Sequence, residues 1–278
     1  MFKVLERKEL APTEFEILVD APRIAKKAKA GQFVILRIDE YGERIPLTVV
    51  DTDTEAGWVR LIFQVIGKTT AQLATVRAGE ALRYIVGPLG KATDIENYGT
   101  VLLVGGGVGI AALFPIVKAL KEAGNRVITI LGAKNAELLI LQEDCAKYSD
   151  ELILMTDDGS IGQKGVVTNA MEAVFKREEV VMTWAIGPSI MMKFCTLTAQ
   201  KYNTPIYVSL NPIMIDGTGM CGGCRVTVAD SIKFACVDGP EFLGEEVDWD
   251  EFVNRMQQYR PEEQLSNERY EKQVNANG

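Results

Sequence analysis

Three features of this 278-residue sequence predict an α/β fold with an antiparallel β-barrel ahead of it and a cysteine loop behind it. Short β-branched and aromatic runs separated by polar turns occupy residues 1–98, as in a small antiparallel barrel. Strands alternating with helices occupy 99–210, which implies parallel pairing with helices on both faces of the sheet. A glycine- and cysteine-rich segment then covers 211–245, and a helix with a polar tail completes the chain over 246–278.

In chain order, FEILVD, GQFVILRID, IPLTVV and WVRLIFQVI read as barrel strands, with polar turns at Asp39–Gly42 and Asp51–Thr54. Beyond Thr100 the strands are VLLV (101–104), VITIL (127–131), ELILM (151–155), VVMTWAI (180–186) and, as the last, IYVSL (206–210). Helices are expected over 110–123, 166–176 and 189–201. Trp249, Phe252, Val253 and Met256 recur at i, i+3, i+4 and i+7, one amphipathic helix whose stripe is read as facing the chain's own core. From Pro261 the residues are polar with little to bury, so a flexible tail, or a segment that orders on a partner, is expected.

Composition removes whole classes of chemistry. There is no histidine, which excludes Ser-His-Asp and Cys-His hydrolases, His-ligated zinc or non-haem iron, His-held haem and Rieske clusters. The net charge of -8 offers no footprint for nucleic acid. Charges interrupt MFKVLERKEL, so no signal peptide is expected. The uncharged stretch 97–117 is long enough for a membrane span, but it holds five glycines and Pro115 and reads as strand, glycine loop and helix. No membrane association is expected, and a cytoplasmic protein would keep its five cysteines reduced, for metal or redox work.

The sharpest motif is Asp216-Gly-Thr-Gly-Met-Cys221-Gly-Gly-Cys224, followed after eleven residues by Cys236. Plant-type 2Fe-2S ferredoxins space their ligands C-x4-C-x2-C with a distant fourth cysteine. The same gaps stand here with Asp216 in the first position, and a carboxylate carries the same formal charge as a thiolate. The candidate metal ligands are therefore Asp216, Cys221, Cys224 and Cys236, with a zinc site or a thiol redox pair as other readings of the cysteines. An aspartate beside glycine also serves as a turn former. Cys145 and Cys195 lie in helix-like contexts and read as small buried residues.

A second motif, Val104-Gly105-Gly106-Gly107-Val108-Gly109, follows a strand and opens a helix, where phosphate oxygens can approach backbone amides. The next strand ends in Gly132-Ala133-Lys134 with no acidic residue for a ribose, unlike a dinucleotide-binding Rossmann unit. Lys134 reads as a solvated surface residue.

With these motifs and GERIPLT (42–48), GKTT (67–70), GPLGK (87–91), TDDGS (156–160), GPSIMMK (187–193) and FACVDGPEF (234–242), the chain resembles the ferredoxin-NADP reductase superfamily. The cluster loop narrows the resemblance to one branch of flavoproteins. That branch holds the electron-transfer subunits of dihydroorotate dehydrogenase and the small subunits of NADH-dependent ferredoxin:NADP oxidoreductases, also called sulfide dehydrogenases. The likeness runs to about Tyr259 and leans to the second group, because the dihydroorotate group typically has cysteine where Asp216 stands.

The resemblance implies an FAD-binding barrel over 1–98, an NAD(P)-binding domain over 99–210 and a 2Fe-2S segment over 211–245. It implies that Arg44, Pro46, Leu47 and Thr48 line the flavin, and that Gly67, Lys68, Thr69 and Thr70 hold the FAD pyrophosphate at a helix start. Gly105, Gly106, Gly107, Val108 and Gly109, with Gly187, Pro188 and Met191, would form the NAD(H) site. Two departures stand out: Arg44 lies four residues before Thr48 where the superfamily has three, and Ile186 replaces the cysteine that often precedes the Gly-Pro pair. The implied activity is that of an NADH-dependent flavin oxidoreductase subunit, in which NADH reduces FAD and the cluster passes single electrons on. The implied partner is a larger flavin and iron-sulfur subunit in a heterodimer, linking NADH, NADP and ferredoxin by electron bifurcation. Such chemistry belongs to the cofactors and needs no histidine.

Overall fold

The computed structural model describes residues 1–277. Its N-terminal part comprises β1 (Phe2–Ala11), β2 (Glu14–Asp20), α1 (Pro22–Ala25), β3 (Phe33–Arg37), β4 (Arg44–Thr48), β5 (Asp51–Asp53), β6 (Trp58–Gln64), α2 (Lys68–Thr75), β7 (Ala81–Leu82) and β8 (Tyr84–Leu89). These strands form antiparallel sheets in the orders β5-β6-β2-β1-β7 and β4-β3-β8, wrapped barrel-like around Ile17, Val19, Leu36, Leu61 and Phe63. Period-2 alternation generates the core, because Ile17 and Val19 point inward on the same face of β2.

One detail of the sequence reading is corrected here. Asp51–Asp53 is not a turn but the edge strand β5; the reversal falls after it, where Asp53 Oδ1 accepts the amides of Glu55 and Ala56 at 2.9 and 2.8 Å. An edge strand with little to bury can be polar, so its composition imitates a turn. Gly87–Leu89 completes β8 across a register shift against β3.

The second part holds β9 (Thr100–Gly106), α3 (Gly109–Glu122), β10 (Arg126–Ala133), α4 (Gln142–Lys147), β11 (Glu151–Thr156), β12 (Gln163–Lys164), α5 (Val167–Phe175), β13 (Met182–Ile186), α6 (Ser189–Lys201) and β14 (Ile206–Ser209). The third holds β15 (Arg225–Val228), β16 (Ser231–Phe234), β17 (Glu241–Leu243), α7 (Trp249–Arg255) and α8 (Arg260–Asn277). The large sheet runs β12-β11-β10-β9-β13-β14-β17, parallel except for the antiparallel β17. IYVSL is thus not its last strand: Glu241–Leu243, from beyond the cysteine loop, closes the edge. Leu102 and Val104 point to the α5 and α6 side, Val101 and Leu103 to the α3 side, so both faces are covered. Trp249 and Phe252 of α7 pack into the first of these cores, as the stripe at 249–256 predicted.

The tail is a helix and not a flexible segment. Pro261 stands in its first turn, where a missing N–H costs nothing, and Glu, Gln, Arg and Leu favour helix throughout. No apolar stripe announces it, which is why hydrophobic periodicity passes over it. Gly278 lies outside the described residues. Among the described residues, no helix is long and apolar enough to cross a membrane.

The barrel is locked to the nucleotide-type domain by charge and by apolar contact. Arg60 lies between Glu16 at 2.6 Å and Asp144 at 3.1 Å, and Lys118 meets Asp51 at 3.1 Å. Ala11, Val50 and Ile62 of the barrel join the core beneath α3. Further along this junction the partly buried Glu241 turns its carboxyl inward, accepting hydrogen bonds from Thr93 Oγ1 and from Trp184 Nε1. Burial pushes its carboxyl up from 4.5 to about 7, so the fold favours the neutral form. The stabilisation is therefore full below pH 4.5 and is lost as pH rises to about 7. Glu14, whose Oε2 is buried without a partner, is pushed up in the same way. Glu241→Gln is expected to flatten the decline of Tm over that window, removing a pH-dependent loss of at most about 3 kcal/mol. Thermal unfolding of both proteins at stepped pH checks this; an unchanged slope would count against it.

Candidate functional site

Four groups of side chains singled out by sequence occupy three junctions of the fold. At the first, β4 lies at the edge of its three-stranded sheet, the position that tolerates Pro46 within a strand. Arg44, Pro46 and Thr48 alternate onto one face, while Ile45 and Leu47 turn inward and pack against the barrel core. Leu47 thus stands with the core side of the strand. Arg44 donates through Nε to the hydroxyl of Tyr84, with its guanidinium 5.4 Å from the centre of the Tyr84 ring. These two residues, with Ile35 and Val86, line a cleft of about 280 Å³ whose opposite wall is Ile215 and Asp216. Sequence reasoning missed Tyr84, Ile35 and Val86, since a residue on β8 becomes a neighbour of Arg44 only when β8 and β4 flank β3.

At the second junction, Gly67 precedes α2 in extended backbone (φ -157°), and the helix begins at Lys68. Thr70 Oγ1 accepts the amides of Ile66 and Gly67 at 3.0 and 3.1 Å, which holds the turn. Thr69 is buried and donates to Glu43 Oε2 at 2.6 Å. Glu43, the residue beside Arg44, thus ties the start of α2 to β4, and the first two junctions are neighbours.

The third junction lies where the strand order reverses. From β9 the chain proceeds outward to β10 and β11, then returns to place β13 and β14 on the other side. Open parallel sheets bind ligands at such a switch point, outside the carboxyl ends of the strands. Gly105–Gly109 links β9 to α3 there, and Gly187-Pro188 links β13 to α6. The two loops touch: a Cβ on Gly109 would stand 2.5 Å from Ile186 O and 2.7 Å from Gly187 Cα, and one on Gly106 would strike Met191 Sδ. Gly107, by contrast, has φ +54° and open space where its side chain would be. Lys134 is exposed.

The cysteine loop closes the cleft at the first junction. A side chain on Gly217 (φ +74°) would lie 2.5 Å from Leu89 Cδ1, so the loop sits directly on the barrel. Asp216 Oδ1 accepts the amide of Thr218 at 2.8 Å and Oδ2 that of Cys221 at 2.6 Å. These amides, led by Thr218, hold its carboxyl below the usual range, so it is an anion. Cys224 and Cys236 are buried with their sulfurs 3.2 Å apart, and Cys221 is exposed, its Sγ accepting from Gly223 N at 3.5 Å. Burial and the adjacent Cys224 push the Cys236 thiol up to about 12. Two buried thiols in contact beside a carboxylate fit a multivalent cation that would deprotonate them. As they stand, the four donors do not converge into a closed ligand set among the described residues. Cys145 and Cys195 are far from this loop in sequence, fully buried, and pushed up to about 12 by burial, as inert core thiols are.

Comparison with known proteins agrees with this layout. Residues 211–248 match the iron-sulfur cluster binding domain of dihydroorotate dehydrogenase B. The chain is 55% identical over 268 residues to a Thermotoga maritima protein described as a dihydroorotate dehydrogenase B (NAD(+)) electron transfer subunit homolog, covering 96% of this chain and 95% of that one. It is 32% identical to the corresponding electron transfer subunit of Desulforamulus reducens, over 89% of this chain and 97% of the other. Among solved structures, one of an NADH-dependent reduced ferredoxin-NADP oxidoreductase, described in terms of flavin-based electron bifurcation, superposes with a TM-score of 0.93. It is 54% identical, over 97% of this chain and 98% of that one. An Amycolatopsis cytochrome P450 reductase, 20% identical over 72% of this chain and 65% of that one, shares the fold with a TM-score of 0.62.

Proposed function

The chain belongs to the family of dihydroorotate dehydrogenase B electron transfer subunits, and from that premise we propose that it is the small electron-transfer subunit of an NADH-dependent ferredoxin:NADP oxidoreductase. The observation that carries this reading is the shared cleft. Barrel residues suited to a flavin ring, Arg44 and Tyr84, face Ile215 and Asp216 of the cluster loop across one gap, so a flavin and a cluster would be immediate neighbours.

Each group of residues then has a role. Arg44, Pro46, Leu47 and Thr48 border the flavin through side chain or backbone. Gly67, Lys68, Thr69 and Thr70 offer helix-start amides and a lysine to a pyrophosphate. Gly105, Gly106, Gly107, Val108 and Gly109, with Gly187, Pro188 and Met191, form the NAD(H) site at the switch point. Asp216, Cys221, Cys224 and Cys236 hold the 2Fe-2S cluster, with Gly223 N and Cys236 N as donors to the sulfurs. FAD, when bound, supplies the conversion between a hydride pair and the single electrons that a cluster carries. The protein's own part is position: the Arg60 and Lys118 ion pairs and the core beneath α3 hold the barrel to the switch-point sheet, and the cluster loop is held through Met214, Cys224 and Cys236, which share a core with Phe33 and Ile35 of the barrel.

Asp216 at the first ligand position of the loop favours this assignment over service to a dihydroorotate-oxidising partner, and the superposition on the reduced ferredoxin-NADP oxidoreductase structure supports it. Purification from the native cell with its partner decides between them. The expected companion is a larger flavin and iron-sulfur subunit, and NADH should bleach the flavin band of the complex. A co-purifying flavin barrel that oxidises dihydroorotate would overturn the assignment. A colourless, zinc-containing protein would overturn the redox reading altogether.

A further inference from the structure

The C-terminal helix α8 has no reason in its own sequence to rest where it does. It is polar on all sides, its apolar residues Leu265 and Val274 stay about half exposed, and among its described side chains only Ser266, Asn267 and Tyr270 are partly covered. A helix of this composition gains little from burial. Yet it lies against the start of α2, and a gap of about 390 Å³ separates the two. Asn267, Tyr270, Glu271 and Val274, at i, i+3, i+4 and i+7, form one wall, and Val65, Ile66, Gly67 and Ala71 the other. A side chain on Gly67 would come within 3.8 Å of Asn267 Oδ1, so the helix approaches the very turn assigned to the FAD pyrophosphate.

We propose that α8 is the outer wall of an adenosine pocket, with Tyr270 stacking on the adenine of FAD and Asn267 and Glu271 bonding its ribose or amino group. The proposal rests on the assignment of FAD to the barrel. The lining chemistry selects the adenosine end. A phenol ring offers a π-face to a base, a neutral amide and a carboxylate suit hydroxyl and amino donors, and the carboxylate would repel a phosphate. The pyrophosphate then falls to the amides at the start of α2, Lys68–Thr70, between Gly67 and Ala71 of the facing wall. The flavin ring falls to the other cleft, at Arg44 and Tyr84, which Glu43 and Thr69 connect to this one. The ligand supplies the contact area that the helix lacks in itself, so the helix and the nucleotide hold each other.

Flavin-fluorescence titration of the full-length apoprotein with FAD and, separately, with FMN tests this, because FMN lacks the adenosine. The wild type should prefer FAD. Tyr270→Ala should weaken FAD by roughly tenfold, about 1.4 kcal/mol, while FMN binding stays within about twofold. Tyr270→Phe should retain FAD affinity, because the ring is kept. FAD affinity unchanged in both Tyr270→Ala and Asn267→Ala would overturn the role of α8 and leave the flavin assignment standing. Equal losses of FAD and FMN would also overturn it, as a general disturbance of the barrel. A wild type that binds neither flavin would overturn the underlying assignment and this inference together.

Discussion

Asp216→Ala is expected to be isolated with roughly tenfold less iron and acid-labile sulfide than the wild type, while still binding FAD. In the structure its carboxylate is an anion fixed by the amides of Thr218 and Cys221, at the edge of the cleft that Arg44 and Tyr84 line. Alanine removes the acceptor that shapes the loop before Cys221 and, on the proposed assignment, the fourth anionic donor. Two further substitutions separate these roles. Asp216→Asn keeps one acceptor oxygen but not the charge, and should fall close to alanine if ligation dominates. Asp216→Cys restores an anionic donor without the paired acceptors, and should recover most of the iron. Iron and sulfide assays with the visible spectrum give the result, and flavin content serves as the internal control. Full cluster occupancy in Asp216→Ala would remove Asp216 from the ligand set, leaving it a turn former.

The second large effect is expected at Gly109. A methyl group there would meet Ile186 O at 2.5 Å, Gly187 Cα at 2.7 Å and Gly187 N at 2.8 Å, all of them backbone. No rotamer change relieves that overlap, so Gly109→Ala must push the β9–α3 turn away from the β13–α6 turn. Overpacking of this kind costs about 1–3 kcal/mol. Because the same two turns form the switch-point crevice, NADH affinity should fall by at least about tenfold, a change of 1.4 kcal/mol or more. Gly106→Ala is the contrast. Its methyl would meet the end of the flexible Met191 side chain, which can swing aside, so a smaller loss is expected. Thermal unfolding and the NADH concentration dependence of flavin reduction measure both effects. Equal behaviour of the two variants would show that the close approach at Gly109 does not govern the site.

Much of this organisation was legible in the residues because it rests on local pattern. Strands such as VLLV and VITIL are buried on both faces, and a continuous apolar run is the direct imprint of that burial. The x4 and x2 gaps around Cys221 and Cys224 are covalent facts about the loop, and the iron-sulfur family match over 211–248 spans them. The stripe from Trp249 to Met256 carries the period of a helix with one buried side. The readings that failed lacked such a local imprint. Asp51–Asp53 is an edge strand with turn-like composition, and α8 is a helix with no apolar face. Glu241–Leu243 follows a loop that gives no sign of the sheet it rejoins.

The sequence by itself determined the order of barrel, parallel sheet and cluster loop, and the identity of the donors, glycines and helix starts that chemistry would use. Those are properties of neighbours along the chain, set by period, spacing and side-chain type. Only the tertiary structure decided which of them meet. Tyr84 beside Arg44, Asp216 at the cleft that both line, Gly109 against Gly187 and Asn267 near Gly67 are pairs that stand far apart in sequence. Their contact depends on strand order, the crossover at the switch point and the return of the C-terminal helix, and no local preference encodes those.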